Sequence, residues 1–405
     1  MPMSGTLPAD IKQYFVITGN YWAFTLTDGA LRMLVVLYFH ELGYAPLQIA
    51  FLFLFYEIFG VVTNLIGGWL GARLGLNRTM NIGLFLQIVA LSMLVFPIFG
   101  LTIPWVMAAQ ALSGIAKDLN KMSAKSAIKI VVPSDAQHQL FKWVAILTGS
   151  KNALKGAGFF LGGALLAGLG FTSANALMAI GLALVWLASL ILLKKELGRA
   201  KNKPKFSEIF SKSRAINYLS AARLFLFGAR DVWFVVALPV FMAEILGWSH
   251  WGVGSYLALW VIGYGAVQSA TPYLTGRKVN TPPGVSEAFV WALFLIAVPI
   301  LIAGGMFTGW NPEWLITLGL AVFGFVFAIN SSLHSYLIVA FANEDGVSLD
   351  VGFYYMANAM GRLMGTVLSG WVYQEYGLVL CLVVSASFIS MSALCLLPLR
   401  KYPLG

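Results

Sequence analysis

The segment GSKNALKGAGFFLGG, residues 149–163, places Lys151 and Lys155 one helical turn apart in an otherwise apolar, glycine-rich stretch. A charged side chain at the centre of a bilayer costs about 2.5–3.5 kcal/mol, so two on one helix face call for a water-filled cavity or an anionic ligand. The surrounding chain decides whether a bilayer is the right setting. Of its 405 residues, 59% are hydrophobic and 10% charged, and the mean hydropathy is +0.82. That excludes a soluble globular protein. A membrane-crossing helix needs about 20 mostly apolar residues, and runs of this kind recur along the whole length, predicting about twelve spans and no soluble domain. The N-terminal MPMSGTLPADIKQYF has no basic region followed by a short apolar core and a cleavage site, so no removable signal peptide is expected. Cys381 and Cys395 both fall in the last run, too far apart on one helix to bridge, and indicate neither a disulfide nor a thiolate metal site.

In chain order, the first run carries Asp28 and Arg32 at i,i+4 spacing, on one helix face. The second holds Glu57 and Asn64 and leads into GGWLGARLGLNR, with Gly67, Gly71 and Gly75 for close packing and Arg73 and Arg78 at the membrane edge. The fourth carries Lys117, Lys121 and Lys125 at every fourth position beside Asp118. Lys125 and Lys129 read as a solvated, snorkelling helix end, whereas Lys117 and Asp118 lie too deep for that account. The seventh contains Arg223, Arg230 and Asp231, the tenth Asn330 and His334, and the eleventh Asn358 and Arg362.

A basic linker, residues 194–215, separates an N-terminal half (1–193) from a C-terminal half (216–405). This linker and the other connectors after even-numbered runs, including Arg277 and Lys278, hold nearly all the loop Lys and Arg. Both termini are therefore expected in the cytoplasm of a multi-pass inner-membrane protein. The acidic connector with Glu344, Asp345 and Asp350 weighs little in that rule. The net charge of +10 is accounted for by this topology, and no nucleic-acid partner is expected.

The halves resemble each other. NALKGAGFFLGG (152–163) aligns with AMGRLMGTVLSG (359–370), setting Lys155 opposite Arg362 and Gly158 opposite Gly365, and weaker matches link LGYAPLQIA to LGWSHWGVG and GARLG to TGRKV. Two parallel six-helix repeats related about the membrane normal resemble the major facilitator transporters, whose substrate site lies at the midplane between halves. The expected fold is thus an all-α polytopic membrane protein of about twelve helices in two pseudo-symmetric six-helix halves.

Ionisable residues well inside apolar runs are Asp28, Arg32, Glu57, Lys117, Asp118, Lys151, Lys155, Arg230, Asp231 and Arg362, six basic against four acidic. Either they line a cavity, or the cations pair off: Arg32 with Asp28, Lys117 with Asp118 or Glu57, and Arg230 or Arg223 with Asp231. No carboxylate is near Lys151, Lys155 or Arg362 in sequence, which makes them the foremost candidates for substrate contact. Arg suits bidentate recognition of an oxyanion and Lys supplies a point charge, so the ligand is a small molecule bearing phosphate-like or carboxylate groups. Asn330, His334 and Asn358 would add hydrogen bonds or serve as glue between helices. Asp28, Glu57 and Asp231 are candidates for proton coupling. The chain shows no phosphate-binding loop, metal-ligand cluster or nucleophile with a matched base, so an enzyme is a poor second class and no cofactor or metal is expected.

Beyond these features, the stretches GNYWAFTLTDGALRMLVVLYF, FLFYEIFGVVTNLIGGWLGARLGLNRTMN, QALSGIAKDLNKMSAKSAIK, ILTGSKNALKGAGFFLGGALL and LFLFGARDVWFVVALPV resemble the organoarsenical efflux permeases of the major facilitator superfamily, the ArsJ type. The resemblance runs nearly end to end. It implies export of 1-arseno-3-phosphoglycerate, the unstable ester made when glyceraldehyde-3-phosphate dehydrogenase uses arsenate, and hence arsenate resistance with a functional link to that enzyme. A monomer is expected. Against the wider superfamily, Gly68, Arg73 and Gly75 of the gating motif are kept, while Ala72 stands in place of its acidic residue and Gln110 in place of an arginine. Gly149, Gly158 and Gly162 resemble the exporter glycine motif, with Gly163 replacing its proline. Two alternatives stay open: an organophosphate or phosphate exchanger of the same fold, and a non-transporting receptor or scaffold.

Overall fold

A computed structural model describes residues 9–44, 49, 51–98, 100–132, 137–193, 197–201, 204–210, 213–275 and 283–402. Arg277, Lys278 and parts of the 194–215 linker lie outside the described residues. Among the described residues the structure is helical, with no strand. The helices are α1 (Ala9–Glu41), α2 (Leu54–Leu74), α3 (Leu76–Val95), α4 (Ile103–Val131), α5 (Gln137–Leu192), α6 (Arg214–Phe234), α7 (Ala237–Glu244), α8 (His250–Leu274), α9 (Val285–Phe307), α10 (Pro312–Phe341) and α11 (Val347–Leu396).

Among the described residues, eight helical segments are long and apolar enough to cross a bilayer. Two are too long to do so once. At 56 and 50 residues, α5 and α11 would each extend well past 70 Å at about 1.5 Å per residue, against a hydrocarbon core of about 30 Å. Each breaks at a glycine with positive φ, Gly170 (φ 74°, ψ 173°) and Gly377 (φ 76°, ψ −177°), a conformation a residue with a Cβ rarely adopts. The two breaks are separated by the same 207 positions that separate Lys155 from Arg362, so the repeat read from sequence carries through to the turn between spans. Helices α6 and α7 form one span interrupted at Val235 and Val236, where Ser369 Oγ accepts from the N–H groups of Val236 (3.3 Å) and Ala237 (3.1 Å) that the break leaves free. With each kinked helix counted as two and α6–α7 as one, the described residues supply twelve spans.

The chain forms two compact units. The first comprises Met1–Ala136, Leu154–Phe210 and Asn343–Gly352; the second comprises Gln137–Ala153, Ser211–Ala342 and Phe353–Gly405. Each unit therefore includes a short piece of helix from the far side of the linker. In the first, Gly68 of α2 lies against the Ser348 carbonyl and Gly352 Cα of α11, and Ser348 Oγ donates to Gly68 O at 2.7 Å. In the second, Gly149 of α5 lies against Gly265 and Ser269 of α8. Backbones approach this closely only where no side chain intervenes. The same device seats the repeat glycines, since Gly158 abuts Gly29 in the first unit and Gly365 abuts Gly228 in the second.

The described part of the linker folds back onto the first unit. Leu197 O accepts from Leu76 N (2.8 Å), Ala72 O accepts from Ala200 N (2.8 Å), and Trp69 Nε1 donates to Pro204 O (3.0 Å). Lys125 and Lys129 correct the expectation of a solvated helix end, because both are buried in α4. Asn343–Gly352 belongs to the same unit, and Glu344 acts electrostatically on Lys129. Glu344 lies more than 200 positions from Lys129, a neighbour that the local pattern of α4 could not reveal.

Candidate functional site

Each unit holds one cluster of charge. In the first, α1 and α2 place Asp28, Arg32, Tyr56 and Glu57 together. Arg32 Nη2 pairs with Glu57 Oε1 at 2.9 Å, and its guanidinium lies 4.8 Å from the Tyr56 ring and 5.1 Å from the Phe53 ring. The sequence pairing of Arg32 with Asp28 is therefore corrected: Asp28 accepts from Tyr56 OH, at 2.8 and 3.0 Å to its two oxygens. On one helix the two charges share a face, yet the neighbouring helix offers each a straighter partner. Helix α4 adds Lys117, whose Nζ sits 3.8 Å from the Tyr56 ring centroid, a cation–π contact in place of the expected pair with Asp118 or Glu57. Asp118 pairs with Lys121 at 2.6 Å.

Lys155 enters this cluster from α5, at the level where Gly29 of α1 lies against the Lys155 backbone. The charges acting on it are Arg32, Asp28, Lys117 and Glu57. Among the described residues it makes no ion pair or hydrogen bond. Lys151, one turn earlier on the same helix, belongs to the second unit. Four cations (Arg32, Lys117, Lys121, Lys155) face three carboxylates (Asp28, Glu57, Asp118), leaving the first cluster a formal excess of one positive charge.

In the second unit, Asp231 of α6 is completely buried and receives two arginines. Arg230 meets Oδ1 at 2.5 Å, and Arg362 of α11 donates through Nε to Oδ2 at 3.0 Å. The expectation that Arg362 has no carboxylate is corrected, since its partner lies 131 positions away and only helix packing supplies it. Arg223 does not reach Asp231. It donates through Nε to Asn358 Oδ1 at 2.9 Å and through Nη1 to Ser331 at 3.1 and 3.2 Å. Phe227, between them on α6, has the Arg223 guanidinium 4.0 Å and the Arg230 guanidinium 4.9 Å from its ring centroid. With Arg223, Arg230 and Arg362 against Asp231, this cluster carries a formal excess of two positive charges. Asn330 and His334 are buried on α10, and neither the amide nor the imidazole has a hydrogen-bond partner among the described residues.

Sequence reasoning left Tyr56 and Arg223 out of the candidate set. Both neighbour charges only through cross-helix contacts, and the one available signal was the spacing of Arg223 and Arg230, seven residues apart and so on one face. Of the gating residues, Gly68 makes the close contact with α11 described above. Gly75 has φ +97° and turns the chain between α2 and α3, Arg73 lies 5.1 Å from the Trp69 ring, and Arg78 is exposed. Among the described residues no group of three or more His, Cys, Asp or Glu side chains is placed to hold a metal ion.

The Major Facilitator Superfamily sequence profile matches residues 16–342. No curated protein sequence matches the chain. Among solved structures, the fold is similar to that of a bacterial homologue of the iron transporter ferroportin in an outward-facing state, with TM-score 0.75 and 12% identity over 98% of this chain and 100% of that one. The human organic anion transporter TETRAN gives TM-score 0.77 and 16% identity over 96% and 100%. The E. coli fucose:proton symporter gives 0.75 and 13% over 98% and 100%.

Proposed function

The chain belongs to the Major Facilitator Superfamily, and from that premise we propose that it carries a small organic anion out of the cell by alternating access, with 1-arseno-3-phosphoglycerate as its cargo. One observation carries the anion: Lys155 stands in a membrane-embedded cluster without an ion-pair partner among the described residues, beside Lys117, whose charge rests on an aromatic face. Lysines left in that state gain most from a ligand that brings the missing negative charge. Both clusters have a cationic excess, which favours a multiply charged anion over a sugar or a metal ion. The arsenical identity rests on the resemblance of the chain to organoarsenical permeases, and the similar fold of the human organic anion transporter agrees with the ligand class.

In this reading the cargo-binding candidates within the first unit are Arg32, Lys117, Lys121 and Lys155. Those within the second are Lys151, Arg230 and Arg362, with Asn330, His334 and Asn358 as hydrogen-bonding groups. Asp231, which has one partner fewer once an anion takes Arg362, is the candidate group for proton coupling in the second unit. Asp28 and Glu57 are the corresponding groups in the first unit. An inside-negative potential also assists an exiting anion, by about 2.3 kcal/mol per charge per 100 mV. The basic connectors support cytoplasmic termini in an inner membrane.

Everted vesicles carrying the protein test the proposal. Saturable uptake of the arseno ester in preference to 3-phosphoglycerate and phosphate is expected. Equal uptake of all three points to an organophosphate or phosphate exchanger, and no saturable flux points to a receptor or scaffold.

A further inference from the structure

Away from both charge clusters, a cavity of about 500 Å³ opens on the outer surface of the first unit between α3 and the 171–192 portion of α5. The volume is within the range of small-molecule sites, about 300–1,000 Å³. Its wall is apolar, formed by Ile82, Phe85, Trp186, Leu190 and Leu193, and Arg78 stands at the end nearest the α2–α3 connector. Ile82, Phe85 and Leu190 are each at least 40% exposed, as for side chains that meet lipid.

The polar groups within the wall are already engaged. Trp186 Nε1 donates to Asn81 O (3.1 Å), Ser189 Oγ donates to Asn81 Oδ1 (2.6 Å), and Asn20 Nδ2 donates to Ser189 Oγ (2.9 Å). With its N–H so occupied, the indole packs tilted at 37° and 5.4 Å from the Phe85 ring and presents only hydrocarbon to the groove. Arg78 is the exception. It is exposed, and among the described residues it makes no ion pair or hydrogen bond.

A groove with one unpaired cation at its mouth and hydrocarbon along about 10 Å of α3, the rise from Arg78 to Phe85 at about 1.5 Å per residue, matches a molecule with an anionic head and an apolar tail. From this we infer that the α3–α5 groove binds an anionic phospholipid, its phosphate on Arg78 and one acyl chain along Ile82, Phe85 and Trp186. The surrounding bilayer supplies that occupant at high local concentration, and basic sites at the cytoplasmic ends of membrane helices attract such head groups. The inference is independent of the cargo.

Native mass spectrometry of the purified protein, released from micelles containing equal phosphatidylglycerol and phosphatidylcholine, tests it. The wild type is expected to retain phosphatidylglycerol about fivefold over phosphatidylcholine, the effect of one cation on an anionic lipid. R78Q should bring the ratio to parity and R78K should keep it. W186A should lower retention of both lipids together. R73Q, which removes a neighbouring exposed arginine outside the groove, should leave the preference intact. An unchanged preference in R78Q, or an equal loss in R73Q, overturns the inference, the latter because general surface charge would then account for the retention. Monodisperse elution of each variant shows that it is folded.

Discussion

Arg362 of α11 and Asp231 of α6 are joined by a hydrogen-bonded ion pair, Nε to Oδ2 at 3.0 Å, in which the carboxylate is fully buried and the arginine side chain 37% exposed. The arginine can therefore meet a ligand while the acid cannot leave. Residue 362 is also the repeat equivalent of Lys155, so equivalent positions carry a cation in both units, latched in one and without an ion pair in the other.

Removing the acid exposes the cost of that arrangement. Asp231→Ala leaves Arg230 and Arg362 without their carboxylate, and losing one partner of a buried pair costs about 3–5 kcal/mol. Thermal unfolding in detergent should show a lower Tm, and adding Arg362→Gln should recover part of the loss. A double mutant whose loss equals the sum of the two single-variant losses would mean that the pair contributes no coupling.

Lys155→Gln keeps a polar side chain of nearly the same length and removes its charge. Saturable uptake into everted vesicles should fall at least tenfold, equivalent to about 1.4 kcal/mol, with unchanged yield of monodisperse protein. Normal uptake by this variant would remove Lys155 from the site.

Tyr56→Phe deletes the hydroxyl that donates to Asp28 and keeps the ring under Arg32 and Lys117. A hydrogen bond to a charged group contributes about 1.5–3 kcal/mol, so this variant should lose stability of that order. An unchanged Tm would show that water or a lysine replaces the hydroxyl without cost.

Gly170→Ala and Gly377→Ala place a Cβ at φ 74° and 76°, and each should cost about 1–3 kcal/mol. Gly168→Ala, at a position in α5 with open space around it, is the control and should be near neutral or slightly stabilising. Equal Tm values for Gly168→Ala and Gly170→Ala would argue against a fixed break at position 170.

Collapsing the pH gradient alone tests the coupling. If Asp231 takes up a proton as the cargo takes its arginine, the two cross together, so collapse of an acidic-interior gradient in everted vesicles should raise wild-type uptake and leave Asp231→Asn insensitive. Wild-type uptake unchanged by the collapse leaves the membrane potential as the driving force.

The span positions, the twelvefold count and the repeat register were legible in the sequence, because hydrocarbon thickness and backbone hydrogen bonding impose a length and composition on every crossing helix. Lys155 and Arg362 stood out for the same reason, as charges that a bilayer does not tolerate without a purpose. Pairing was not legible. Arg32 turned from Asp28 to Glu57, Asp118 from Lys117 to Lys121, and Arg362 found Asp231, because an ion pair is decided by which helices touch and at what height. The burial of Lys125 and Lys129 was not legible for the same reason, since it arises from packing within the first unit. Hydropathy acts along the chain and can be read there, whereas glycine-mediated contacts such as Gly29 with Gly158 and Gly228 with Gly365 bring distant charges within reach only once the helices have packed.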